Sequence, residues 1–293
     1  MTHRIKSGKP PPLGNTPLEV FVQLLKSITL SVSLTFFALT ALATVPAHAH
    51  WVVSDIDDTI KLSAVGHPID MIDYAFFDAQ FFAGMIPLYS ALAADNTVDF
   101  ISGSPGFLGP HLRSIFEDAH MPAYNLRTKS TFSDPSDIMA YKLKALEALQ
   151  EQSSEPKILL GDDTQKDPET YLEFQRRHPE SVTAIYIHEI TRRALPDGVQ
   201  SFRISYEVAF SEFRAGRITE EQLLDIGRKM LADPKSKRWM PSYAGCSLIF
   251  EQDLPSAPSQ TLREGELTDS VLEMNRAIRA RFNKTCAKKM ANK

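Results

Sequence analysis

Trp51-Val52-Val53-Ser54-Asp55-Ile56-Asp57-Asp58-Thr59-Ile60-Lys61 is a short apolar run that delivers two carboxylates at alternate positions and then, two residues on, a hydroxyl. Side chains on a strand alternate between faces, so Asp55 and Asp57 can point to the same side as the strand ends. No Lys or Arg stands between them, and such a pair repels itself unless a cation sits in the gap. A hard divalent ion satisfies it, and Mg²⁺ typically keeps one or two protein carboxylates alongside waters and phosphate oxygens. The plainer reading is an acidic strand exit that caps a helix.

Three further segments bear on that choice. Val98-Asp-Phe-Ile-Ser102-Gly-Ser-Pro105 is another apolar strand ending in a hydroxyl and a glycine-containing turn. A turn of that kind can aim backbone N–H groups and a serine hydroxyl at a phosphate. Lys157-Ile-Leu-Leu-Gly161-Asp162-Asp163-Thr-Gln-Lys-Asp167-Pro168 is a third strand, also ending in acids. Between these two lies a helical pattern with two lysines. Ile138, Met139, Leu143, Leu146 and Leu149 form an apolar stripe at helical spacing. On a wheel of about 100° per residue Lys142 falls inside that stripe and Lys144 nearly opposite. Lysine is rarely buried without a partner, so Lys142 reads as a cation held towards something negative. The alternative is a Lys142 that snorkels its head to water.

Alternating strands and helices predict an α/β fold with a mostly parallel sheet covered on both faces. Strands are expected at about 51–55, 97–102, 157–161 and 182–187, with a shorter one at 123–127. Ligands of open α/β sheets bind outside the carboxyl ends of the strands. Asp55, Ser102 and Asp162 all sit at such ends, which brings three distant segments to one crevice. Residues 61–95 are the place for a flap, and Phe76, Phe77, Phe81 and Phe82 crowd it. They fit a core better than a lipid contact.

The order Asp-x-Asp-x-Thr, Ser, Lys, Gly-Asp resembles the four motifs of the haloacid dehalogenase superfamily of phosphohydrolases. Within it the chain is similar to the catalytic domain of the actin-patch-protein type of phosphatidate phosphatase. The resemblance rests on Asp55-Ile-Asp-Asp-Thr-Ile-Lys61, Gly84-Met-Ile-Pro-Leu-Tyr89, Ile101-Ser-Gly-Ser-Pro105, Tyr141-Lys142 and Gly161 to Tyr171, and it continues through Val182-Thr-Ala-Ile-Tyr-Ile187. Two positions depart from the family pattern, Gly106 in place of an aromatic residue and His188 in place of an arginine, both on the expected substrate side.

The resemblance implies a three-layer Rossmann-like haloacid dehalogenase core with a small flap or cap insertion after the first strand. It implies phosphate monoester hydrolysis on a phosphorylated small molecule or a phospholipid such as phosphatidate. Asp55 would be the nucleophile that forms an aspartyl-phosphate, Asp57 the general acid and base, and Ser102 and Lys142 the groups that bind the phosphoryl oxygens. Mg²⁺ would be held by Asp55, the Asp57 backbone carbonyl and Asp162, with Asp163 or Asp167 completing the shell. Thr59 would fix the turn. The competing readings are a phospho-accepting receiver, in which the lysine comes after the acids, and a catalytically silent phosphate-binding module. A dehalogenase or phosphomutase is the rival within enzymes.

A net charge of −4 over 293 residues, with 43% hydrophobic and 23% charged, is ordinary for a globular chain and leaves no footprint for nucleic acid. Membrane contact would come through the substrate. Arg4, Lys6, Lys9 and Lys26 precede an uncharged, largely apolar stretch from Ser27 to Val45, and Ala47-His48-Ala49 follows. This is the pattern of a secretory signal peptide cleaved after Ala49, with export to the periplasm or exterior, against the rival of an uncleaved membrane anchor. Residues 50–237 are then read as the catalytic domain and 238–293 as a C-terminal extension. Export gives Cys246 and Cys286 the surroundings in which they can pair, the alternative being two buried thiols. Thr219-Glu-Glu-Gln222 reads as a capping box ahead of a helix, and another helix is expected near 269–288. Of the eight histidines, His188 alone follows a strand end.

Overall fold

Four largely apolar runs and two short, more polar ones pair side by side. The computed structural model describes residues 51–65, 74, 80–93, 97–130, 134–256 and 267–291. These fall within one compact unit, His48–Lys293. The signal-peptide reading of 1–49, and Phe76 and Phe77 of the flap, lie outside the described residues.

The strands are β1 (Trp51–Ser54), β2 (Val98–Pro105), β3 (Tyr124–Lys129), β4 (Lys157–Asp162), β5 (Val182–His188) and β6 (Gln200–Phe202). All pair in parallel, in the order β3-β2-β1-β4-β5-β6. The described helices are α1 (Met85–Ala93), α2 (Gly109–Asp118), α3 (Ile138–Gln152), α4 (Asp167–Arg177), α5 (Ser205–Arg214), α6 (Glu220–Ala232), α7 (Ser236–Trp239) and α8 (Asp269–Ala291). Strand β6 is too short and too polar to register as a strand pattern, and it adds an edge beyond β5.

The central strands are apolar on both faces because each face meets its own core. Val52, Ile158, Leu160 and Tyr186 pack with α1, α2, α5, α6 and α8, whereas Val53, Leu159, Ile185 and Ile187 pack with α3 and α4. Helix–sheet–helix is therefore the layering. Phe81 and Phe82 are buried in the first of these cores, as core residues rather than lipid contacts. Helix α6 begins with the expected box: Thr219 Oγ1 accepts from Gln222 N–H, and the Gln222 side chain accepts from Thr219 N–H.

The strand order reverses direction between β1 and β4, β2 and β3 following on one side of β1 and β5 and β6 on the other side of β4. Chain leaving β1 and β4 at their carboxyl ends turns to opposite sides, which opens the crevice where such folds bind ligands. Ser54 lies level with Phe100 on one side and Leu160 on the other, so Asp55 emerges at the centre of this edge.

Candidate active site

Asp55 leaves β1 still tied to the sheet, its N–H donating to Leu160 O at 2.9 Å. The chain then coils into a tight turn closed by Ile60 N–H and Lys61 N–H on Ile56 O. Asp58 takes the left-handed backbone this needs, with φ 60°, a conformation Asp tolerates better than most residues. Its carboxylate accepts from Ser63, Ala64 and Val65 N–H and from the Tyr243 hydroxyl. Thr59 fixes the turn at its other end, its hydroxyl lying 3.4 Å from both Asp55 Oδ2 and Asp162 Oδ2.

The turn gives the two leading acids different neighbours. Asp55 is buried, and Lys142 Nζ donates to its Oδ1 at 2.8 Å. Asp57 is half-buried: its Oδ2 accepts from Ser104 Oγ at 2.8 Å and sits 3.5 Å from Ser102 Oγ, and its Oδ1 accepts from Ser63 Oγ at 2.6 Å. Lys61 Nζ stands 3.8 Å from the same Oδ1. Ser102 is fully buried, and its hydroxyl accepts from Ser104 N–H. Ser104 escaped the reading of the sequence. Its signal was present, a second serine one residue beyond the glycine of the β2 turn.

Lys142 lies on the buried face of α3, and Lys144 on the exposed face, paired with Asp134 at 3.0 Å. Lys142 Nζ also donates to Asp167 Oδ1, and so ties β1 to the start of α4. Asp167 reaches this point because residue 161 is glycine. A Cβ there would lie 2.6 Å from Asp167 Oδ2 and 2.8 Å from the Tyr171 ring. Pro168 sits in the first turn of α4, where its missing N–H costs nothing.

Asp55, Asp162 and Asp167, all buried, each place a carboxylate oxygen within 4.8 Å of the others. Burial pushes the Asp55 carboxyl up to about 7, against the pull of Lys142. Burial, with the charges of Asp167 and Asp55, raises Asp162 well above the carboxylate range. Burial pulls Lys142 down, but Asp167, Asp55 and Asp162 outweigh it and hold the ammonium above its ordinary pKa. Three buried carboxylates share one lysine, so the group has more acid than base. A hard cation with oxygen ligands fits that donor set and would favour the ionised form of all three.

The structure separates Asp163 from Asp167. Both Asp163 oxygens accept backbone N–H groups of the loop after β5, from Ile190 at 2.8 Å, Thr191 at 2.7 Å and Arg192 at 2.9 Å. Of the two acids expected to complete a metal shell, Asp163 is engaged by this loop, and Asp167 is the one that lies with Asp55 and Asp162. The side chain of Asp57 likewise stands apart from the three clustered acids. His188 does not face the crevice either. It is buried, stacked on Phe202 at 4.7 Å, with Nδ1 2.8 Å from Asp58 O behind the turn. Burial lowers its pKa.

A strand-end acid pair, a buried lysine and a second acid cluster, on a parallel sheet in three layers, define a phosphohydrolase of the haloacid dehalogenase type. Residues 50–189 match the family model described as phosphatidate phosphatase APP1, catalytic domain. That segment is a catalytic domain of this type, and the enzyme class is phosphoric monoester hydrolase. Comparison with curated proteins and with solved structures returns no match.

Proposed function

We propose that the chain hydrolyses phosphatidate or a related phospholipid monoester, with Mg²⁺, through an aspartyl-phosphate on Asp55. The observation that carries this is the division of labour between the two leading acids. Asp55 is buried against Lys142, whereas Asp57 is partly open and, among the described residues, its oxygens meet hydroxyls and, more distantly, Lys61. Two carboxylates in environments that differ this much suit a nucleophile and an acid–base pair.

Asp55 attacks phosphorus, the ester P–O bond breaks, and the leaving alkoxide takes the proton carried by Asp57. A water then gives its proton to Asp57 as its oxygen attacks phosphorus, and the P–O bond to Asp55 breaks. Inorganic phosphate leaves, Asp55 is again a carboxylate and Asp57 again carries a proton. Lys142 and the Ser102 hydroxyl offset the charge on the phosphoryl oxygens, since attack of a carboxylate on a phosphate brings anion to anion. Asp55, Asp162 and Asp167 would hold Mg²⁺, which supplies further charge neutralisation when bound. Support for a lipid ester comes from Phe107, three residues after Ser104 at the crevice edge and 76% exposed. An aromatic ring so placed has no core to fill and suits an acyl chain.

Purified protein with Mg²⁺, assayed against phosphatidate, lysophosphatidate, sugar phosphates and nucleotides, tests the substrate class. Preference for a soluble ester over phosphatidate would overturn the lipid reading. Asp55→Asn should abolish turnover on every ester while the protein stays folded, and EDTA should stop the reaction until Mg²⁺ is restored. Turnover near wild type in folded Asp55→Asn would remove Asp55 as nucleophile.

Export completes the proposal. Its support is the leader pattern before His50 together with the pairing of Cys246 and Cys286, since disulfides persist in oxidising compartments. Terminal sequencing of periplasmic or secreted material should find His50 first. An intact leader in the membrane fraction would favour an anchor.

A further inference from the structure

Charge is not evenly spread over this chain. Its formal net charge is −4, yet α8 carries Arg276, Arg279, Arg281, Lys284, Lys288 and Lys289 against two acids, Asp269 and Glu273, in its opening turns. Three of the six cations are structural. Arg276 donates to Ser256 O, Arg279 to Leu254 O and Ser256 Oγ, and Lys289 to Pro241 O and Ala244 O. Arg281, Lys284 and Lys288 have no carboxylate partner among the described residues.

These three turn to one place. With Lys237 and Lys289 they line an open basin of ≈ 780 Å³ between α7 and α8, and no acid lines it. Hydroxyls of Ser236, Ser242 and Thr285 share the wall. Arg281 stands with its guanidinium 5.9 Å from the Trp239 ring, and its buried Nε–H has no acceptor. The walls are held in place: Cys286 of α8 is bonded to Cys246, with Cα atoms 5.7 Å apart, and Lys289 grips the segment between. One residue beyond Ser242, Tyr243 holds the Asp58 turn next to the catalytic crevice.

We propose that this basin docks the protein on an anionic phospholipid surface, with Arg281, Lys284 and Lys288 receiving lipid phosphate groups. Openness and the number of cations favour a surface of many head groups over one small enclosed anion. Each Lys or Arg brought to such a surface strengthens binding about fivefold, and the effect fades with salt as the field is screened. The docking site lies outside the matched catalytic segment, and the inference does not depend on the substrate assigned above.

Co-sedimentation of the protein with two kinds of vesicle tests it, one of phosphatidylcholine alone and one of phosphatidylcholine with phosphatidylglycerol. Phosphatidylglycerol is a phosphodiester, so its binding is separate from monoester turnover and from any failure of the esterase reading. The protein should partition onto the anionic vesicles only, and added NaCl should release it. Lys284→Ala/Lys288→Ala should lower the partition coefficient about 30-fold with an unchanged melting temperature, whereas Lys144→Ala, an exposed lysine elsewhere, should not. Equal partitioning of the double variant and wild type, or equal binding to both vesicles, would overturn the proposal. So would wild-type protein whose Lys284 and Lys288 resonances respond to inorganic phosphate while it stays off the vesicles.

Discussion

Replacing Lys142 by alanine removes the only cation among the described residues in contact with both Asp55 and Asp167. Preorganised charge is worth most in a water-excluded site, so kcat should fall about 10²-fold or more. Breaking a buried ion pair also leaves its acids uncompensated, at a cost of about 3–5 kcal/mol, so unfolding curves should shift as well. Lys144→Ala loses an exposed pair with Asp134, and exposed pairs are worth little. Kinetics and unfolding of both variants side by side check the contrast. Equal effects at the two positions would show that the face of α3 had been misassigned. At this scale the sequence is informative because helical periodicity alone distinguishes the two lysines. It is silent on Ser104, whose partner Asp57 comes from 47 residues away.

The start of α4 depends on a strand end. Gly161 leaves room for Asp167 and Tyr171 to close over β4, and Tyr171 OH donates to Leu160 O there. Gly161→Ala should push this turn outward, destabilising the fold by about 1–3 kcal/mol as overpacking does, and pulling Asp167 from the other acids. Gly106→Ala is the matched control, since its nearest contact would be an ordinary 3.6 Å to Lys129 O. Urea denaturation and kcat should both separate the two variants, and similar losses would sink the close-approach argument. Asp163 acts at the same scale, its carboxylate holding the loop after β5. No local pattern distinguishes it from Asp162, because adjacent acids in a turn are sorted only by which element approaches each.

Over the whole molecule, the segment after α7 is joined to the turn after β1 through Tyr243, which donates to Asp58, and to the loop after β5 through Gly245, whose N–H donates to Ile190 O. The Cys246–Cys286 bond closes a separation of 40 residues and keeps that segment against α8. In the chain-entropy account such a crosslink contributes about 4 kcal/mol. Cys286→Ser should lower the urea midpoint accordingly, Cys246→Ser should match it, and the double variant should lose no more than either. Additive losses would mean that the sulfurs act separately rather than as one bond.

The strand and helix pattern, the parallel layered fold, the acids at the strand ends and the inward lysine were legible along the chain, because alternation, helical period and motif order are local properties. Strand β6, the separation of Asp57 from the acid cluster, the choice of Asp167 over Asp163, the burial of His188 and the basic basin were not. Each of these depends on which distant segments meet, and that follows from three-dimensional packing, where one-residue differences in a turn send neighbouring side chains to unrelated partners.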